Sequence, residues 1–177
     1  MEEESIAFKN MLDTPGQKIL SILENVMDPE VPVLSVIDLG IVRDVSFDTS
    51  INSPQGGWKI TITPTYSGCP AMDVIAINIR MALLQNGIKN FVIEQQLSPA
   101  WTTDWMSEKG KDQLRAYGIA APAGKSFDKK NVENPEVQCP LCHSMNTKLI
   151  SQFGSTACKA LYQCNDCKEP FDYFKCH

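Results

Sequence analysis

Four cysteines stand in two pairs near the C-terminus, Cys139 and Cys142 in "CPLC" and Cys164 and Cys167 in "CNDC", with 21 residues between the pairs. Each pair has the Cys-x-x-Cys spacing of a tight turn that aims two sulfurs at one point. Two such turns can enclose a tetrahedral ion at metal–sulfur distances of about 2.3 Å. Zinc is the expected ion, and iron suits the same four thiolates. A tail of roughly 40 residues buries too little surface to fold unaided, so the ion is expected to act as a structural cross-link. Cys158, Cys176, His143 and the terminal His177 are left over, each open to a core, spare-ligand or supporting role. For Cys158, which precedes an apolar run, core is the first reading.

The seventh cysteine, Cys69, lies alone in "TPTYSGCPAMDV", residues 63–74. It reads as the N-cap of a helix whose first residue is Pro70, where free N–H groups and the helix dipole would stabilise a thiolate. A small apolar capping residue is the plain alternative. The two histidines both lie in the cysteine-rich tail, and no Cys-x-x-Cys pair is near Cys69. The partners of a thiol hydrolase or a dithiol redox centre are therefore missing. Holding a soft metal is the chemistry that remains for such a thiolate.

The elements that must position these residues are legible in outline. Thr14-Pro15-Gly16-Gln17 is a capping box that opens a helix carrying Ile19, Leu20, Ile22, Leu23 and Val26 on one face, and Asp28-Pro29 stops it. A strand is predicted over about Ile41 to Phe47, and "WKITIT" alternates Trp58, Ile60 and Ile62 against Lys59, Thr61 and Thr63; a Pro/Gly-rich loop makes the two a hairpin. A second helix runs from Pro70 to Gln85 with Val74, Ile77, Met81 and Leu84 on one stripe, and "FVIEQQL" supplies a third strand. A third helix is expected over Thr103 to Tyr117, with Trp101 and Trp105 as packing residues. The linker that follows ends near Val137.

This order predicts an α+β fold: a small three-stranded sheet with helices packed on one face in residues 1–97, a helical extension and linker in 98–137, and a zinc ribbon in 138–177. Two independent cores are expected. With 43% hydrophobic residues the 177-residue chain can build them. Lys+Arg 16 against Asp+Glu 21 gives a net charge of -5, which argues against nucleic acid as a partner. The acidic start "MEEESIAFKN" has no secretory pattern and no run reaches transmembrane length, so no membrane partner and a cytoplasmic location are expected.

"DPEVPVLSVIDLGIVRDV" followed by "TPTYSGCPAMDV" resembles the iron–sulfur cluster assembly domain, over about residues 15–97. "PAWTTDWMSEKGKDQLRAYGIAAP" and "FGSTACKALYQCNDCKEPFDYFKCH" resemble, more narrowly, the PaaD family of bacterial phenylacetate degradation, over nearly the whole chain. The resemblance implies that Cys69 handles an iron–sulfur cluster, with Asp28, Glu30 and Asp38 shaping the site; for the acidic residues a helix stop and a turn are the plain alternative. It implies a transient cluster beside the zinc, and a place beside phenylacetyl-CoA epoxidase, especially its iron–sulfur reductase. No diiron Glu-x-x-His pair and no flavin or nicotinamide fingerprint is present, so a non-catalytic maturation factor is expected, and a structural subunit of the epoxidase is the rival. One Cys69 cannot fill a cluster's ligand set. A second copy in a homodimer, Cys158, Cys176 or the client must supply the rest.

Overall fold

The first helix, α1, runs Pro15–Leu23 and buries Ile19, Ile22 and Leu23, with Val26 joining them from the turn beyond. The structure, a computed structural model, describes residues 15–51, 54–122 and 135–175. The Thr14 cap, most of the linker, Cys176 and His177 lie outside the described residues. β1 (Val42–Asp48) and β2 (Gly57–Ile62) pair antiparallel, Val45 opposite Ile60 and Phe47 opposite Trp58. α2 (Ala71–Gln85) then carries the chain across to β3 (Phe91–Gln95), which lies parallel to β2 with Ile93 beside Ile60. Parallel neighbours require such a crossover. The sheet order is β1-β2-β3, and α1 packs against α2 and β1.

α2 turns a different stripe inward from the one expected. The helix is apolar on most of its circumference, so periodicity alone offers two faces. Ala71, Met72, Ile75, Ile79 and Leu83 are buried, whereas Val74, Ile77, Met81 and Leu84 are 45 to 55% exposed. Each fully buried Ile or Leu of the inner stripe contributes about 1.5–3 kcal/mol.

The extension is broken where a single helix was expected. A short 3-10 helix (Thr103–Trp105) ends in extended backbone at Met106, and Ser107 then caps α3 (Glu108–Ala116) by accepting the Gly110 N–H on its hydroxyl. Serine is favoured at such a cap over a helix interior. Trp101 is buried and donates its indole N–H to the Leu39 carbonyl at 3.1 Å. Trp105 is half-buried under the Arg43 guanidinium, 3.4 Å from the ring centroid.

Asp38 and Gly40 form the seam that receives this extension. The Asp38 carboxylate accepts hydrogen bonds from Ser35 Oγ (2.9 Å), Ser107 Oγ (2.7 Å) and Lys109 Nζ (3.1 Å). A Cβ on Gly40, which has φ 74°, would lie 2.3 Å from the Trp105 carbonyl oxygen. Burial pushes the Asp38 carboxyl up, but the donors from Ser107, Ser35 and Lys109 outweigh it and hold it below its ordinary 3.8. A carboxylate held low stabilises the fold above its unfolded pKa, and that contribution is lost as pH falls through the folded value. Wild-type denaturation midpoints should therefore drop steeply below about pH 4, and Asp38→Asn should flatten that drop while costing about 1–3 kcal/mol at neutral pH. An unchanged acid limb in the variant would refute the assignment.

The C-terminal part is a three-stranded antiparallel sheet of β4 (Thr147–Ser151), β5 (Lys159–Cys164) and β6 (Pro170–Phe174). Val137, Cys139, Ala160, Tyr162, Cys164, Phe171 and Tyr173 form its own small core. The two cores are not separate. Phe174 and Cys158 are buried in the first one, and Ala120 of the extension is buried in the second. Backbone bonds stitch this junction, from Ala120 N–H to the Asp172 carbonyl and from Phe174 N–H to the Ala120 carbonyl. Among the described residues no helix is long and apolar enough to cross a membrane.

Candidate functional site

The two Cys-x-x-Cys turns converge, and the Sγ atoms of Cys139, Cys142, Cys164 and Cys167 all lie within 4.8 Å of one another. Cys139 and Cys167 are 3.8 Å apart and Cys142 and Cys164 are 3.5 Å apart. A tetrahedron with metal–sulfur bonds of about 2.3 Å has edges of about 3.8 Å, so the sulfurs are already spaced for one ion. His143 and Lys168, each directly after the second cysteine of its pair, have φ of 62° and 69° and donate their N–H groups to the Cys139 and Cys164 carbonyls. His143 thus serves as a turn residue, and the cluster consists of four sulfurs without it. Asp166 ties the turns together by accepting from Ser144 Oγ at 2.5 Å and Asn146 Nδ2 at 2.9 Å. Burial opposes ionisation of Cys164, but the Cys167 and Asp166 N–H groups bond its sulfur and hold the thiol down at about 7. This is a metal-binding cysteine cluster in a ribbon fold.

Cys69 sits on a separate surface, half-buried at the head of α2. Its N–H donates to the Tyr66 carbonyl at 3.2 Å, closing the four-residue turn Tyr66-Ser67-Gly68-Cys69. Gly68 occupies the third position with φ 80° and open space around its missing Cβ, so the backbone angle is what calls for glycine. The N-cap proper is Pro70, one residue beyond the expected position, and Cys69 is the turn residue before it. The turn brings Tyr66 back onto Cys69. Burial and a hydrogen bond to Cys69 push the Tyr66 phenol up to about 12, and the charges of Glu30 and Cys158 act in the same direction.

Asp28 shapes the bend that precedes Val31. Its carboxylate accepts the N–H groups of Glu30 (2.8 Å) and Val31 (2.7 Å), which fixes the Asp28-Pro29-Glu30 bend. Burial raises the Asp28 carboxyl above its usual value, against those two donors and Lys159. Half-buried Glu30 has its Oε2 3.8 Å from Cys158 Sγ, and Cys158 also meets Thr156 Oγ1 at 3.0 Å. Of the residues singled out from sequence, Glu30 thus meets Cys158, and Asp28 fixes the bend that carries Glu30. The Asp38 carboxylate is engaged at the extension seam instead. Tyr66 went unrecognised in the sequence, although the Gly68 turn, with three residues from tyrosine to cysteine, was the signal for it.

Residues 16–88 match the family of iron-sulfur cluster assembly proteins, and residues 123–175 match the PaaD zinc beta ribbon domain. The fold is thus an iron–sulfur assembly domain joined to a cysteine ribbon. A protein of Escherichia coli (strain K12) whose name makes it a subunit of 1,2-phenylacetyl-CoA epoxidase is 52% identical over 159 residues, covering 90% of this chain and 92% of the relative. An Fe-S protein maturation auxiliary factor of Porphyromonas gingivalis is 34% identical over 99 residues, covering 55% of this chain and 89% of that protein. The crystal structure of a domain of unknown function from Bacillus anthracis aligns with a TM-score of 0.49 at 30% identity, over 56% of this chain and 90% of that one. The chain belongs to the PaaD family.

Proposed function

We propose that this protein is a non-catalytic, cytoplasmic accessory factor of aerobic phenylacetate catabolism that carries an iron–sulfur cluster on Cys69 and delivers it to the reductase of phenylacetyl-CoA epoxidase. The observation that carries the reading is the Tyr66–Cys69 turn. It holds a single half-buried thiol beside a tyrosine hydroxyl, with no histidine among its described partners to make it a hydrolytic nucleophile. Delivery needs only ligand exchange: the iron–Cys69 bond breaks, an iron–thiolate bond to the client forms, and the client's thiol proton passes to Cys69. No electron is gained or lost. The ribbon cage takes one zinc ion, which the spacing and the all-sulfur donor set fit, and supplies a rigid strand surface for docking. The relative's name favours a second reading, a structural subunit of the epoxidase.

Cys69→Ser tests the first reading. Serine can keep a hydrogen bond to Tyr66, so stability should change by no more than about 1 kcal/mol. Cells carrying only this variant should yield reductase short of its iron–sulfur cluster and grow poorly on phenylacetate, with ribbon zinc intact. Fully loaded reductase in those cells would overturn the reading. A stoichiometric complex required for turnover by already loaded reductase would favour the structural subunit.

A further inference from the structure

The apolar row that periodicity offered as the buried face of α2 is left on the surface, and neither the cysteine cage nor the Cys69 turn uses it. Val74, Ile77, Met81 and Leu84 are 45, 55, 52 and 49% exposed on a helix whose opposite face fills the core. Contiguous apolar rows of this kind mark contact surfaces in soluble proteins. Their spacing of three, four and three residues is that of the a and d positions of a heptad seam, so the face is shaped to receive another helix. We propose that this face is the interface with a second copy of the chain, in which two α2 helices pack antiparallel about a two-fold axis level with Ile79.

The row is its own complement. Across a two-fold axis level with Ile79, Val74 meets the partner's Leu84 and Ile77 meets the partner's Met81, so every layer joins an a position to a d position. The charges select the direction. Asp73 and Arg80 are exposed and lie on one flank of the seam, where the Arg80 guanidinium stands 5.7 Å from the Phe91 ring centroid on the β3 side. Residues of one flank face each other in an antiparallel pair. Asp73 is then offset from the partner's Arg80 by five residues, about 7.5 Å along the axis and within reach of an arginine side chain. The two-fold makes the pair twice. A parallel arrangement would set Asp73 against Asn78 and Arg80 against Gln85 and gain no ion pair. A helix of another protein would need the same symmetric row with matching charges, and a second copy carries both. On the reading of Cys69 as the cluster-handling thiol, the dimer also decides how that thiol is used. Cys69 precedes α2, so the two copies hold their thiols at opposite ends of the paired helices, about 30 Å apart. They cannot ligate one cluster, and each thiol faces its own client.

The test is sedimentation equilibrium of the full-length, zinc-loaded chain, which reads mass without any iron and so succeeds or fails apart from the Cys69 reading. Wild type should have the mass of two 19.7 kDa chains. Asp73→Arg and Arg80→Asp should each raise the dimer dissociation constant about tenfold, because like charges then meet across the seam. The double variant Asp73→Arg/Arg80→Asp should bring it back to within about threefold of wild type, since the pair is restored with its signs exchanged. Ile77→Asp, at a side chain more than half exposed, should give a monomer with wild-type zinc and circular-dichroism spectrum. A monomeric wild type would overturn the proposal and leave the face to a client protein or to residues 1–14 of the same chain. A dimer indifferent to a folded Ile77→Asp would overturn it too. Should Ile77→Asp unfold, the charge series decides: a double variant no tighter than the single ones overturns the antiparallel pairing.

Discussion

Cys139→Ser is expected to release the ribbon's zinc almost completely and to unfold residues 138–175. Cys139 is fully buried and its sulfur forms one edge of the cage with Cys167. The remaining ribbon core is a handful of side chains around Tyr162 and Phe171, too few to hold three short strands without a cross-link. Structural zinc sites of this kind contribute about 10–16 kcal/mol of apparent binding energy, more than a domain of this size has to spare. The damage should not stop at the ribbon. Phe174 and Cys158 belong to the first core, so losing the ribbon also opens a hole beside Trp101. Metal analysis of the purified variant checks the first part, and a full equivalent of zinc would overturn the four-sulfur assignment. Thermal unfolding checks the second: the assembly domain should melt below its wild-type temperature.

Local signals were legible from the sequence and long-range ones were not. Cys-x-x-Cys spacing is a property of a tight turn, so the cage was visible without any fold. Strict alternation in "WKITIT" gave β2, and the Pro and Gly residues of the loop before it gave the hairpin. α2 defeated the same logic, because Met72, Ile75, Ile79 and Leu83 repeat at helical spacing just as Val74, Ile77, Met81 and Leu84 do. Only the sheet, assembled from distant segments, selects between them. Ser107 was missed as a cap because Trp105, Met106 and Leu114 together mimic one continuous helix face. The meeting of Cys158 with Glu30 has no local signature, since 128 residues separate them in the chain. For the same reason the acidic residues divide in a way that motif reading could not show: Glu30, on the bend that Asp28 fixes, lies beside Cys158, and the Asp38 carboxylate secures α3.

Phe174→Ala tests whether the ribbon and the assembly domain act as one unit. The ring is 1% exposed and meets Trp101 edge-on with centroids 6.2 Å apart, while the Phe174 N–H still bonds the Ala120 carbonyl from the backbone. Truncating a large, fully buried aromatic ring costs about 3–5 kcal/mol, since the rigid surroundings close only part of the cavity. For a chain of this size that corresponds to a fall of roughly 10 °C in melting temperature. The zinc cage contains none of the lost atoms, so zinc content should remain at wild-type level. Phe174 ends β6, whose neighbour β5 begins at Lys159, and the Lys175 N–H bonds the Cys158 carbonyl at 3.0 Å. Loosening the ring from Trp101 should therefore displace Cys158 from Glu30. A variant that melts like wild type would show that the junction contributes nothing to stability.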